Sequence, residues 1–134
     1  MPDYILTKPS HLTEEEFNLI CRHPVLGSEI LQNISMFASE ARLVRHHHEK
    51  WNGMGYPDGL AEERIPLGSR IINVADSMDA MLMQRTYKGA YSVEMMLSEL
   101  VRCSGVQFDP QIAQVAVQWC QSNPDSLILP AHAA

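Results

Sequence analysis

The chain has 134 residues, which fits a single domain, and its 46% apolar and 19% charged content is ordinary for a soluble globular protein. A net charge of −6 argues against binding to DNA or to an anionic membrane surface, which needs a broad basic footprint, but a few local cations could still hold a small anionic ligand. Cys21, Cys103 and Cys120 show no paired spacing and read as reduced thiols of a cytoplasmic protein; no stretch is long and apolar enough to span a membrane.

Taken in chain order, nearly every periodic segment reads as helix. Residues 1–12 are expected to be irregular, broken by Pro2, Pro9 and Ser10. Thr13 followed by Glu16 is a capping box, opening a helix with the stripe Phe17, Ile20, Cys21. Pro24 suits the first turn of a second helix, which puts His23 at its N-cap, with Val25, Leu26, Ile30 and Leu31 facing inward. A third helix is expected from Met36 to His48, with Phe37, Ala41 and Val44 on its apolar face. Residues 50–68 hold Gly53, Gly55, Pro57, Gly59, Pro66 and Gly68 and read as a long ordered loop. The fourth helix spans 67–83, with Ile71, Val74, Ala75, Met78, Met81 and Leu82 apolar. Ser92 caps a fifth, carrying Val93, Met96, Leu97, Leu100 and Val101 and stopped by Gly105. Asp109-Pro110 opens a sixth, with Ile112, Val115, Ala116, Trp119 and Cys120 on one face, and the residues after it read as a short tail or linker.

The strongest local signal is His46-His47-His48-Glu49. Helix phase continues the inward side through His47 and His48 and puts His46 on the polar side. Adjacent helical residues diverge by about 100°, so His47 and His48 suit two metals side by side, one imidazole each; an isolated pair reads more simply as a polar helix end. Asp76 has largely apolar neighbours at helical spacing, which predicts a half-buried carboxylate needing a metal or an arginine, and Arg70 is a candidate partner. His23 offers a further imidazole, or plain capping. Imidazole with carboxylate and no thiolate suits iron, manganese or zinc as a hydrolytic centre. Arg85-Thr86-Tyr87-Lys88 is either a set of solvated cations beyond a helix C-terminus or a phosphate clamp. The run Trp51-Asn52-Gly53-Met54-Gly55-Tyr56-Pro57-Asp58-Gly59-Leu60 is either a structural Ω-loop or a recognition surface.

Taken together, these residues resemble the HD-GYP family. The resemblance rests on His47-His48-Glu49, Gly55-Tyr56-Pro57, Ile65-Pro66-Leu67, Arg70-Ile71, Val74-Ala75-Asp76, Asp79-Ala80, Arg85 with Tyr87-Lys88, and Phe108-Asp109-Pro110. Pro2-Asp3, Ile5-Leu6, Lys8-Pro9, Leu12-Thr13 and His23-Pro24 add to it. It implies an all-α helical bundle of the HD type over residues 1–122, five to six helices with a long ordered loop, and a tail at 123–134. It further implies a phosphodiesterase that hydrolyses cyclic di-GMP to the linear dinucleotide or to GMP at a centre of two or three metal ions, iron or manganese. By the same resemblance His23, His47, His48 and Asp76 are metal ligands, Tyr56, Arg85 and Lys88 contact substrate, and the Gly55-Tyr56-Pro57 loop is a docking surface for diguanylate cyclase domains. Two positions depart from the pattern, Asn52 at a common aspartate and Cys21 at a common lysine. The family's His-Asp pair would lie upstream of Pro2-Asp3, and neither His11 nor His132 sits in a matching context. The chain is therefore expected to be part of a longer domain, inactive alone, and prone to aggregate or dimerise through uncovered apolar faces. The alternative is a catalytically incomplete interaction module.

Overall fold

Polar caps and prolines set the helix starts in the computed structural model, which describes residues 11–83 and 92–127. Helix α1, Glu14–Cys21, has the expected capping box: the Thr13 hydroxyl accepts from the Glu16 N–H, and the Glu16 carboxylate accepts from the Thr13 N–H. Helix α2, His23–Gln32, follows after Arg22 alone, which serves as its N-cap without a side-chain hydrogen bond. His23 is thus the first helical residue and not the cap. Pro24 fits beside it because an N–H there would have no intrahelical partner. A 3-10 turn, Ser35–Phe37, leads into α3, Ala38–His46, which stops two residues short of the expected end at His48.

Helix α4 is Leu67–Met83, as the periodicity predicts. Helix α5, Val93–Arg102, is capped by the Ser92 hydroxyl, which accepts from the Met95 N–H, and Gly105 takes a left-handed φ of 77° in the turn after it. Helix α6, Pro110–Ser122, begins at Asp109, whose carboxylate accepts from the Gln111 and Ile112 N–H groups. Among the described residues there is no strand, only an isolated bridge between Ser104 and Phe108. The fold is all-α.

The apolar core lies between α4, α5 and α6. One group joins Val74, Leu100, Phe108 and Ala113; the other joins Leu82, Met96, Cys120 and Leu127, and Met78, Met81 and Leu97 touch both. Leu127 comes from a final 3-10 turn, Pro124–Leu127, which packs onto the bundle. Several positions expected inward face out instead: Leu26, Ile30, Ile71, Ala75, Val101, Val115 and Trp119 are exposed. Helical spacing shows that residues share a face, but not that another element covers it. Helices α2 and α3 meet through small groups: Ser28 and Ala41 are buried, and a Cβ on Gly27 would lie 3.0 Å from the Val44 side chain. The larger apolar residues of α2 are left outside that contact.

The segment between α3 and α4 is ordered by bonds at both ends. Trp51 and Asn52 donate their N–H groups to the carbonyls of Gln107 and Val106, both at 3.0 Å, and a 3-10 turn forms at Glu62–Arg64. Arg70 pairs with Asp109 at 2.5 Å and lies 5.9 Å from the Trp51 ring centroid. Asp109, not Asp76, is therefore the partner of Arg70. Burial keeps the free thiols of Cys21, Cys103 and Cys120 above the ordinary cysteine pKa, so none is primed as a nucleophile. No helix of the described residues is long and apolar enough to cross a membrane.

A candidate metal centre of three histidines

Because α3 ends at His46, the next two residues escape the 100° step of a continuous helix. His47 is the C-cap and His48 lies in the following turn. Their rings sit together, centroids 4.0 Å apart, and both face His23 at the start of α2. The Nε2 atoms of His23 and His47 are 3.4 Å apart, and those of His48 and His23 3.1 Å. The three side chains face one another, where helical phase alone gave His47 and His48 one metal each.

Backbone carbonyls set the ring orientation. His23 Nδ1 donates to the Ile20 carbonyl at 2.7 Å, and His47 Nδ1 donates to the Val44 carbonyl at 2.5 Å. A carbonyl only accepts, so the proton of each neutral ring is on Nδ1 and Nε2 carries a bare lone pair. Two lone pairs 3.4 Å apart repel unless a cation or a proton lies between them. Ligand atoms about 2.1 Å from one ion are about 3.0 Å apart at right angles and about 3.4 Å apart in a tetrahedron, which matches the observed spacings. The three imidazoles therefore fit a divalent transition metal. The proton affinity of His48 is pushed down to a pKa of about 4 by burial, with His47 and His23 adding to the effect and Asp76 opposing it. His48 is a neutral donor throughout the neutral pH range.

His46, Glu49 and Asp58 form a second group. His46 was expected on the polar side of α3 but is buried, because the loop folds over it. Glu49, 2% exposed, accepts from the Asp58 N–H at 2.8 Å and the Leu60 N–H at 3.1 Å. Asp58 takes a two-pronged contact from Arg45, 2.8 Å on each oxygen. Those hydrogen bonds hold the Asp58 carboxyl below its usual pKa and raise that of Arg45. Every carboxylate oxygen here already has a donor, and a guanidinium supplies the positive charge, so this group fits a clasp for the loop and not an ion. Glu49→Gln keeps one acceptor and turns an NH₂ toward the other N–H. It should cost about 1–3 kcal/mol of stability, read as a lower urea midpoint; an unchanged midpoint would show that the carboxylate does not hold the loop.

The clasp delivers Tyr56 to the histidines. Its ring stacks on His48 at 5.1 Å and meets Phe17 edge-on at 6.3 Å, and the Tyr56–Pro57 peptide is cis. Burial, with Cys21 and Asp76 adding, pushes the Tyr56 phenol up to about 12, so it stays protonated and can donate a hydrogen bond. Asp76 is exposed on α4, not half-buried, and is outside the three-histidine group, although its charge is felt at His48 and Tyr56. Arg85 and Lys88 lie outside the described residues. The sequence reading did not find Ser69 and Asn73, buried polar residues of α4 that bond to the end of α3. Their signal was a serine and an asparagine four apart within an apolar helix.

A family model described as an HD domain matches residues 1–112. The chain is 44% identical over 113 residues to the "Cyclic di-GMP phosphodiesterase response regulator RpfG" of Xanthomonas campestris pv. campestris, covering 83% of this chain and 30% of that protein. It is 40% identical over 116 residues to a "Cyclic di-GMP phosphodiesterase" of Thermotoga maritima (85% and 32%). It is 34% identical over 122 residues to a "3'3'-cGAMP-specific phosphodiesterase 2" of Vibrio cholerae (88% and 23%). The crystal structure of a cyclic GMP-AMP specific phosphodiesterase of V. cholerae shares the fold, with a TM-score of 0.71 at 23% identity, over 95% of this chain and 34% of that one. The chain thus spans about a third or less of the length of these proteins.

Proposed function

The chain belongs to the HD-domain family, and on that footing we propose that it works within a longer chain as the HD-GYP part of a metal-dependent phosphodiesterase acting on cyclic di-GMP in the bacterial cytoplasm. The observation that carries the reading is the convergence of three Nε2 atoms, two of them bared by Nδ1 bonds to carbonyls. His23, His47 and His48 would hold an ion, with Asp76 as a further ligand and iron or manganese as the metal. A second or third ion would need ligands from the rest of the longer chain. When bound, such ions would supply Lewis-acid polarisation of a phosphodiester and a lowered pKa for water.

The chain's own residues supply position and polarity. Tyr56, held over His48, would donate to a phosphate oxygen or lie against a base. Arg85 and Lys88 would offset phosphate charge. The Gly55-Tyr56-Pro57 loop, beside the 77% exposed Met54, would provide a contact for a diguanylate cyclase domain.

The names of the relatives also bring in cyclic GMP-AMP, so the test uses both dinucleotides. A chain extended upstream should release linear dinucleotide or GMP from cyclic di-GMP when loaded with Mn²⁺ or Fe²⁺, and stop on chelation. Turnover of 3'3'-cGAMP alone would reassign the substrate. No metal-dependent turnover of either would overturn the enzyme reading in favour of an interaction module.

A further inference from the structure

Helix α3 ends in the interior, where its last carbonyls have no intrahelical donor. Two α4 residues one turn apart provide donors. Ser69, fully buried, donates from Oγ to the Leu43 carbonyl at 2.9 Å. Asn73, 8% exposed, donates from Nδ2 to the His47 carbonyl at 2.9 Å and to the Glu49 carbonyl at 3.3 Å. Gly68 lies against the other helix here: a Cβ at that position would lie 2.8 Å from the end of the Leu43 side chain.

Asparagine is a weak residue for a helix interior, and burying an amide is unfavourable unless it is bonded. Its orientation is fixed, because Oδ1 facing two carbonyls would repel them. Asn73 is therefore placed for what it holds: the carbonyls on either side of His48. Backbone torsion within the His47–Glu49 turn would swing the two imidazoles apart, and the Asn73 amide pins that turn from below. Ser69 grips the same helix one turn earlier, away from the histidines.

We infer that Asn73 is a positioning residue for the three-histidine site, setting the angle at which His47 and His48 meet an ion while Ser69 serves the helix contact alone. This deepens the proposed function and rests on the three-histidine reading. Outer-layer partners of metal-binding histidines typically account for about 10–100-fold in affinity.

The test is Co²⁺ titration of the 134-residue chain, read by the visible d–d absorption that reports ligand geometry. Asn73→Leu should bind Co²⁺ about 10–100-fold more weakly and shift the band. Asn73→Ser, which keeps a short donor, should fall between it and wild type, and it carries the test should the leucine variant fail to fold. Ser69→Ala, which also loses one bond between α3 and α4, should stay within about twofold of wild type with an unshifted band. Equal losses in Ser69→Ala and Asn73→Leu, or an unchanged spectrum in Asn73→Leu, would overturn the inference. A wild-type chain that takes up no Co²⁺ would overturn the site reading itself, and the inference with it.

Discussion

Gly55→Ala should unfasten the loop at a cost on the order of 3 kcal/mol or more, a larger effect than Gly53→Ala. This inverts the order that backbone torsions alone suggest. Gly53 has a left-handed φ of 78°, where alanine is strained by roughly 1–2 kcal/mol; its Cβ would meet the Ala61 side chain at 3.2 Å and the Gly59 oxygen only at an ordinary 3.6 Å. Gly55 has no such φ, but its Cβ would lie 2.6 Å from both the Glu49 Cα and the His48 oxygen, and nearer still to the Lys50 nitrogen. These are backbone atoms of the turn that carries the histidines, so no side chain can rotate aside. Relief requires the loop to lift, which breaks the Tyr56 N–H bond to the His48 carbonyl and draws the Asp58 and Leu60 N–H groups off Glu49. Urea midpoints of the two variants provide the measurement. A Gly55→Ala protein no less stable than Gly53→Ala would mean that the loop does not pack this closely.

His47→Ala should weaken binding of Zn²⁺ or Mn²⁺ by about a hundredfold or more. Structural sites with four ligands are worth about 10–16 kcal/mol, or roughly 3 kcal/mol per ligand, which corresponds to two decades in affinity. The same change at His11, exposed and outside the group, should leave binding unaltered. Calorimetric titration of the two variants gives the comparison directly, and equal affinities would remove the three-histidine site from consideration.

The helices were legible in the sequence wherever local chemistry sets them. The Thr13 box, the Ser92 and Asp109 caps and the full length of α4 follow from residues within a turn of each boundary. The end of α3 was not legible, because His47 and His48 continue the helical phase and only contacts from α4 and the loop stop the helix at His46. A helix carried on to His48 would have turned the two imidazoles about 100° apart. The burial of His46 and the pairing of Arg70 with Asp109 depend on residues 12 and 39 positions away, beyond any periodicity. Asp76 failed for a related reason: apolar neighbours at helical spacing on α4, such as Ile72 and Ala80, are themselves exposed, so they do not bury the carboxylate.

The two sources of the histidines bear on the cooperativity of the chain. Helix α2 brings His23 but buries only Pro24 and Ser28, and α1 buries nothing, while the apolar core belongs to α4–α6. An ion shared by His23, His47 and His48 would act as a crosslink that adds to the close α2–α3 contact, tying the N-terminal helices, which bury few side chains, to the rest of the chain. The free energy of local opening of α1 and α2 would then rise by about 1.4 kcal/mol for each tenfold increase in free metal above the dissociation constant. The ordering of the first two helices would follow the supply of metal around the protein.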